Sequence, residues 1–309
     1  MTRKLTLVGA IALLAGIALM ADTEPARTQA GGTPATLTVG IYTPTVEFAN
    51  SAERLQYIKR LAKALEAATG AKVEGKSYAS LGSLKKARPD FAIVDAQCYA
   101  TNLKWELLAN GQVDGKSSQK WALFSRVGGG MPGLKGQKLS YVKMGCRDED
   151  FLMNAMLETE VSSKHFSGKV GKPTLQGAIA DVASFKAASA VFAPVGSQKG
   201  LEKVFDTTTV PGPAFVVVNS KLNNSTVKKV KDAVVGFGGG GAISGWTGGN
   251  DGPYKSLKGK MARNVKRPVF AQPSPVKLSG DDVIKNPDTL DDSALTAVKQ
   301  HFEEPPKRQ

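Results

Sequence analysis

The chain has 309 residues, of which 41% are hydrophobic, so it is longer than a usual single domain and apolar enough to fill two cores. It carries 41 Lys and Arg against 27 Asp and Glu, a formal net charge of +14, but only 7% of its residues are aromatic. Because the basic runs lack interleaved aromatic side chains, this composition argues against nucleic-acid binding. It favours general solubility or the attraction of an anionic ligand.

The first residues are typical of a secretory signal. Arg3 and Lys4 precede an apolar run that extends from Leu5 to Ala21. We expect a signal peptide over residues 1–21, with cleavage as late as residue 30 as a second option and an uncleaved anchor as a third. The only two cysteines lie far beyond this run, so a lipoprotein is not expected, and no later segment has the ~20 continuous apolar residues of a membrane span. The sequence therefore predicts a soluble periplasmic protein.

Strand and helix patterns alternate after this segment, as expected of an α/β protein. Strands are predicted at 35–43, 71–78, 90–96, 121–127, 138–146, 188–194 and 205–219. Helices are predicted at 51–69, 81–88, 149–160, 175–187 and 223–237. Gly70 is expected to end the first of these helices, and Ser225 to cap the last one. The glycine-rich residues 236–252 are predicted to form a loop, and the tail after Lys266 to be partly flexible.

Several stretches, taken in order, resemble the phosphate, phosphite and phosphonate branch of class II periplasmic substrate-binding proteins. They are "TVGIYTPT", "DFAIVDAQCYA", "GLKGQKLSYV", the helix "QGAIADV" before "ASAVFAP", and "VPGPAFVVVNSKL". The resemblance implies a periplasmic binding protein type II fold, with two α/β lobes, two crossover strands and a ligand cleft between the lobes. Lobe 1 would comprise residues 31–125 and 211–309, and lobe 2 residues 126–210.

In open α/β sheets a ligand lies outside the carboxyl ends of the strands, so the candidate site is drawn from those ends and the loops that follow them. The candidate ligand-binding residues are Tyr42, Thr43, Thr45, Phe48, Gln97, Cys98, Tyr99, Met144, Cys146 and Arg147. The resemblance adds Gln176 and Pro194, which stand where the family has a histidine and an acidic residue. This set is more apolar than the phosphonate sites that the resemblance implies, and the acidic "CRDED" turn opposes a bound dianion. We therefore expect a largely apolar ligand, with a phosphate-like or phosphonate-like oxyanion as the alternative. The resemblance implies a lipid such as a sterol as the apolar ligand, because exported relatives in this branch carry lipids.

The two cysteines allow three interpretations. We expect Cys98 and Cys146 to be small apolar side chains that line or back the cleft. A disulfide between the lobes would lock the hinge, and a soft metal site with Met144 is the third possibility. A cysteine-dependent enzyme would need a nearby base, and neither His165 nor His301 has an evident route to the cleft.

The sequence thus predicts a binding protein without catalytic residues, metal or cofactor. It would be the periplasmic substrate-binding component of a transport system, act as a monomer, capture a small-molecule ligand between its lobes and deliver it to a membrane transporter component. Closure would require ligand contacts that differ between the open and closed arrangements of the lobes.

Overall fold

A computed structural model describes most of the chain between residues 36 and 263. The described residues are 36–158, 161–162, 164–198 and 200–263. The predicted signal segment and the predicted flexible tail lie outside them. Two β-sheets with flanking helices make up the described part, and this confirms the predicted two-lobed α/β fold. No helix in the described ranges is both long and apolar enough to cross a membrane.

The secondary structure comprises eleven strands and eight helices in the described part of the chain. The strands are β1 (Thr36–Tyr42), β2 (Lys72–Ser77), β3 (Phe91–Val94), β4 (Glu106–Gln112), β5 (Ser118–Ser125), β6 (Lys138–Val142), β7 (Gly168–Lys172), β8 (Ala190–Pro194), β9 (Glu202–Pro211), β10 (Ala214–Val217) and β11 (Gly245–Gly248). The helices are α1 (Ser51–Thr69), α2 (Leu81–Ala87), α3 (Ala96–Ala100), α4 (Gly130–Gly133), α5 (Asp148–Asp150), α6 (Leu175–Ala183), α7 (Asn224–Val235) and α8 (Gly252–Met261). Helix α5 continues directly into a π-helical segment, Phe151–Met156.

The first sheet has six strands in the order β11-β4-β10-β3-β1-β2, and the second has five in the order β7-β6-β8-β5-β9. We call the first sheet with α1–α3, α7 and α8 lobe 1, and the second sheet with α4–α6 lobe 2. Strand β5 precedes the predicted boundary at residue 126, but it pairs with β8 and β9 in the second sheet. The pairing favours placing the first lobe boundary before residue 118.

Helix boundaries follow from local capping. The side chain of Asn50 accepts a hydrogen bond from the Glu53 amide at the start of α1, and Gly70 ends this helix with a left-handed φ of 73°, as predicted. The prediction that Ser225 caps α7 is wrong, because the side chain of Asn223 accepts the hydrogen bond from the Thr226 amide. An Asn two positions earlier therefore starts this helix.

The glycine-rich segment is not only a loop, because residues 245–248 form edge strand β11 on β4. Trp246 is buried there, and its indole N–H donates to the Tyr57 hydroxyl at 2.9 Å. This pairing anchors the segment to α1 and completes the core of lobe 1. The sequence pattern missed it because the strand is short and half of its residues are glycine.

The two crossings between the lobes lie side by side. The chain leaves lobe 1 between β4 and β5 and returns between β9 and β10. The Gly111 amide donates to the Pro213 carbonyl at 2.7 Å, and the Gly212 amide donates to the Ser117 carbonyl at 2.8 Å. A Cβ atom on Gly212 would lie 2.1 Å from the Gly111 carbonyl oxygen, so the crossings can approach this closely only because residue 212 is glycine.

Helix α8 is hydrogen-bonded to the return crossing between β9 and β10. The Tyr254 hydroxyl donates to the Gly212 carbonyl at 3.1 Å, and the Tyr254 ring packs edge-on against that of Tyr99 at a centroid distance of 4.9 Å. At the other end of α8, the Asn154 side-chain amide of lobe 2 donates to the Met261 carbonyl at 2.9 Å. Helix α8 therefore contacts both lobes, and Tyr99, a candidate ligand residue, packs against this helix.

Candidate ligand site between the lobes

The ends of β1 and β3 in lobe 1 face the ends of β6 and β8 in lobe 2, and hydrogen bonds join them directly. The Tyr42 hydroxyl donates to the Met144 carbonyl at 3.1 Å. Burial first, and then the charges of Asp95 and Asp148, raise the pKa of Tyr42 to about 12, so this phenol stays protonated and able to donate. The Leu175 amide at the start of α6 donates to the Pro44 carbonyl at 3.0 Å.

Cys98 and Cys146 form a disulfide across the cleft. Their Cα atoms are 5.0 Å apart, and both residues are buried. The expectation that they act as separate apolar side chains is wrong, because the turn after β6 brings Cys146 against the first turn of α3. The bridge that sequence reasoning kept as an alternative is the arrangement found.

The carboxylate of Asp148, in the acidic turn after β6, accepts hydrogen bonds from N–H groups of the cleft. One carboxylate oxygen of Asp148 accepts from the Gln97 side-chain amide at 2.8 Å and from the Cys146 amide at 3.2 Å. The other accepts from the Gly145 amide at 3.0 Å. Gln97 also donates to the Cys146 carbonyl at 2.8 Å. These N–H donors are therefore occupied by a protein carboxylate and are not free for an anionic ligand.

Apolar side chains from both lobes fill the deep part of the cleft. Met144, Trp121 and Phe192 belong to the same buried cluster as Tyr42, and this cluster spans both lobes. The cavity that remains among these side chains, lined also by Thr45 and Phe151, has a volume of about 10 Å³. This is about the room of a single water molecule. The apolar candidates thus pack against one another and do not enclose a lipid-sized space.

Two further candidates lie apart from the cleft interior. Arg147 is about half exposed and pairs with Asp150 at 2.6 Å within its own turn. Pro194 ends β8 and is buried opposite Trp121 of β5. Neither of these two residues, nor Tyr99, lines the deep-cleft cavity or the larger cavity at the mouth of the cleft.

A larger cavity opens at the mouth of the cleft, between the loop after β1 and the start of α6. Its volume is about 160 Å³, and it is lined by the candidates Thr43, Phe48 and Gln176. The Thr43 hydroxyl is completely buried and has no hydrogen-bond partner within the described residues. Buried hydroxyls are nearly always paired, and this unpaired one belongs to a residue on the wall of the cavity.

Sequence reasoning missed Arg54, which lines the same cavity from the first turns of α1. Its Nε donates to the Ser77 hydroxyl at 2.9 Å, which positions the guanidinium while leaving its other N–H groups available. The signal that could have found it is a lone arginine in the helix directly after the strand-end loop. Glu47 lies on the same wall, and burial, followed by the nearby Asp114, raises the pKa of its carboxyl.

The amino end of α6 adds backbone donors to this cavity. Of its first amides, that of Leu175 bonds across the cleft, while those of Gly177 and Ala178 bond to the Thr174 side chain and carbonyl. The Gln176 amide donates no hydrogen bond within the described part of the chain. A helix amino end with a free N–H and a partial positive charge favours an anionic group.

Comparisons with known proteins agree with this two-lobed arrangement. No protein-family model matches the sequence, and no curated protein sequence is significantly similar to it. Among solved structures, an ATP-bound protein of Xanthomonas citri superposes with a TM-score of 0.57 at 10% identity, covering 74% of this chain and 97% of that chain. PhnD1 of Prochlorococcus marinus in complex with methylphosphonate gives 0.55 at 15% identity, with the same coverage. A binding protein component of an ABC phosphonate transporter from Pseudomonas aeruginosa gives 0.56 at 12% identity, covering 86% of this chain and 95% of that chain.

The chain has the periplasmic binding protein type II fold. Identities this low establish the fold alone, so the specific branch that the sequence resembles stays a prediction. In this fold the strand ends of the two lobes face one another, and here that interface contains the disulfide, the Asp148 carboxylate and the mouth cavity. Within the described ranges no cluster of three or more His, Cys, Asp or Glu side chains could hold a metal ion.

Asp95, directly after β3, has a buried carboxyl. Its oxygens accept from the Thr45 hydroxyl at 2.5 Å and from the Thr45 amide at 3.1 Å. Burial raises the pKa of Asp95 to about 7, although the two hydrogen bonds from Thr45 act to lower it. The folded protein therefore binds a proton here from about pH 4 to 7, where the unfolded chain does not.

We expect this carboxyl to make the protein less stable as the pH rises. Its contribution is fully present below about pH 4 and is lost as the pH rises through 7, with a change of about 2 kcal/mol between pH 5 and 7. Urea unfolding at both pH values measures the free energy of unfolding. Asp95→Asn should remove this pH-dependent difference, and an unchanged slope in the variant would show that other groups cause it.

Proposed function

We propose that this chain is the periplasmic substrate-binding component of an ABC-type transport system and that it binds a small oxyanion in the mouth cavity. The observation that carries the proposal is the lining of this cavity, which includes Thr43 with its buried unpaired hydroxyl, Arg54, and Gln176 with its free amide. A hydroxyl, a guanidinium and a helix amino end are the groups that proteins use to bind phosphate-like anions. The methylphosphonate complex and the phosphonate transporter component among the structural relatives support the same class of ligand.

The geometry favours this ligand over the lipid or sterol expected from the sequence. The apolar candidates fill the deep cleft, where a cavity of about 10 Å³ remains, and the mouth cavity has a volume of about 160 Å³. A third cavity between the lobes, of about 520 Å³, is lined mainly by polar side chains such as Thr208, Asn250 and Lys260 and does not suit an apolar ligand. Pockets for drug-sized, largely apolar ligands usually have volumes of roughly 300 to 1,000 Å³. The mouth cavity is suited to a small solute, whereas a sterol would require the lobes to separate.

The electrostatic environment is compatible with an anion that binds close to Arg54. The whole chain carries a net charge of +14, which favours the approach of anions. Glu47 is the opposing charge on the cavity wall, but the raised pKa of its carboxyl lowers the cost of protonating it. We therefore propose that the anionic group binds at the Arg54 and Gln176 side of the cavity.

The remaining parts of the proposed function concern cellular context. We propose that the protein is exported, acts as a monomer, carries no catalytic function and delivers its ligand to a membrane transporter component. The type II fold and the transport role that is named for the structural relative from Pseudomonas aeruginosa support this context.

Isothermal titration with phosphate, sulfate and methylphosphonate tests the proposed site. At least one of these anions should bind the wild-type protein, and Arg54→Gln should weaken that binding at least tenfold, because a charge-assisted contact is lost. Arg60→Gln is the matched control, since Arg60 lies on the same helix but donates to the Gly240 carbonyl outside the cavity. Equal binding by both variants would place the anion elsewhere, and co-purification of a lipid would favour the apolar-ligand hypothesis.

A further inference from the structure

The disulfide is a third covalent connection between the two lobes. The other two are the crossings of the main chain, which lie side by side and allow rotation about them. The bridge instead joins the turn after β6 to α3, at the face where the strand ends of the two lobes meet. With the Cα atoms of Cys98 and Cys146 held 5.0 Å apart, the lobes cannot separate at this face.

We propose that this bridge is a redox latch, which holds the cleft shut when oxidised and lets the lobes open when a dithiol reduces it. The consequence for ligand exchange rests on the proposed binding function, whereas the opening itself does not. The oxidised protein would exchange ligands only through the mouth cavity. The reduced protein would also expose the apolar deep cleft, including Met144 and Trp121.

The reaction balances with one dithiol reductant. A thiolate of the reductant attacks one sulfur of the Cys98–Cys146 bridge, which breaks the S–S bond, releases the other cysteine as a thiolate and gives a mixed disulfide. Its second thiol then displaces the protein thiolate, so that the reductant leaves as a disulfide and the protein gains two electrons and two protons. Oxidation by a disulfide of the same class reverses these steps.

Burial makes the oxidised latch long-lived. Cys98 is fully buried and Cys146 is 3% exposed, so a reductant reaches the bridge only when the surrounding contacts loosen. Those contacts are the hydrogen bonds that Gln97 makes to the Cys146 carbonyl and the Asp148 carboxylate. Slow reduction of the folded protein is therefore expected, and much faster reduction after unfolding.

The remaining interlobe hydrogen bonds report whether the lobes open after reduction. The Leu175 amide donates across the cleft to Pro44, whereas the Ala178 amide of the same helix donates within lobe 2 to Thr174. Separation of the lobes breaks the first hydrogen bond and leaves the second intact. Comparing the exchange rates of these two amides therefore distinguishes opening of the cleft from unfolding of α6.

Hydrogen exchange followed by NMR tests the latch without any ligand. Treatment of the wild-type protein with dithiothreitol should speed exchange of the Leu175 amide at least tenfold and leave that of Ala178 unchanged, and re-oxidation should restore slow exchange. The Cys98→Ser/Cys146→Ser variant should match the reduced protein. The latch would be overturned if exchange at Leu175 were unchanged after complete reduction. It would also be overturned if both cysteines of the denatured protein were alkylated without reductant, because they would then not be bridged.

A second measurement separates this proposal from the anion site. Titration of methylphosphonate into the oxidised and reduced forms reports on the mouth cavity, while hydrogen exchange reports on the lobes. Loss of anion binding in both forms with intact redox-dependent exchange would reject the proposed ligand and keep the latch. Anion binding together with hydrogen exchange that does not depend on the redox state would reject the latch and keep the proposed ligand.

Discussion

Removal of the interlobe disulfide is expected to lower the free energy of unfolding by about 4 kcal/mol. The bridge closes a loop with a sequence separation of 48, and cross-linking a loop of this length removes conformational entropy from the unfolded chain by roughly that amount. For a folded region of this size, the melting temperature should fall by roughly 8 to 16 °C. Chemical denaturation and calorimetry of the Cys98→Ser/Cys146→Ser variant measure both quantities.

Two controls separate loss of the bridge from the effect of the new side chains. The sulfurs lie in a buried, largely apolar cluster, where a serine hydroxyl without a partner adds its own cost. Cys98→Ala/Cys146→Ala avoids that cost, and reduction of the wild-type protein changes no side chain except the bridge. All three forms should lose stability, and a loss below 1 kcal/mol in the reduced wild type would mean that the unfolded chain is not restricted as the entropy argument requires.

Local signals were sufficient to predict much of lobe 1. The apolar spacing of α1 and the glycine after it set the limits of that helix, and the near-continuous apolar run of β3 indicated a strand buried on both faces. Strands β4 and β7 were missed because Glu106–Gln112 and Gly168–Lys172 contain few β-branched residues and owe their conformation to pairing with neighbours. Tertiary contacts therefore determine the conformation of these two segments.

The candidate site was harder to predict, because its chemistry depends on distances between remote residues. The sequence placed both cysteines at strand ends, but only the three-dimensional approach of the two lobes decides whether their sulfurs meet. The acidic turn was interpreted as repelling an anion, whereas Asp148 itself occupies the N–H donors of Gln97, Gly145 and Cys146. Sequence patterns give residue types at the cleft and do not show which of them pair with each other.

The crossing between the lobes depends on a glycine that carries no functional group. Gly212→Ala is expected to destabilise the protein by about 3 kcal/mol, because the added Cβ would lie 2.1 Å from the Gly111 carbonyl oxygen and 3.3 Å from that of Ser117. Both contacts are to backbone atoms, so a side-chain rotation cannot relieve them. The backbone hydrogen bonds that join the two crossings and the bond from Tyr254 would have to lengthen.

Gly248→Ala is the matched control for this substitution. Gly248 lies in β11 of the same lobe, and a Cβ atom there would meet no heavy atom within 4 Å. Urea unfolding should show a change below about 0.5 kcal/mol for Gly248→Ala and a loss several times larger for Gly212→Ala. If the two variants were equally stable, the crossing would have to be able to widen at little cost. In that case the disulfide and the cleft contacts, and not the crossing, would fix how the lobes are arranged.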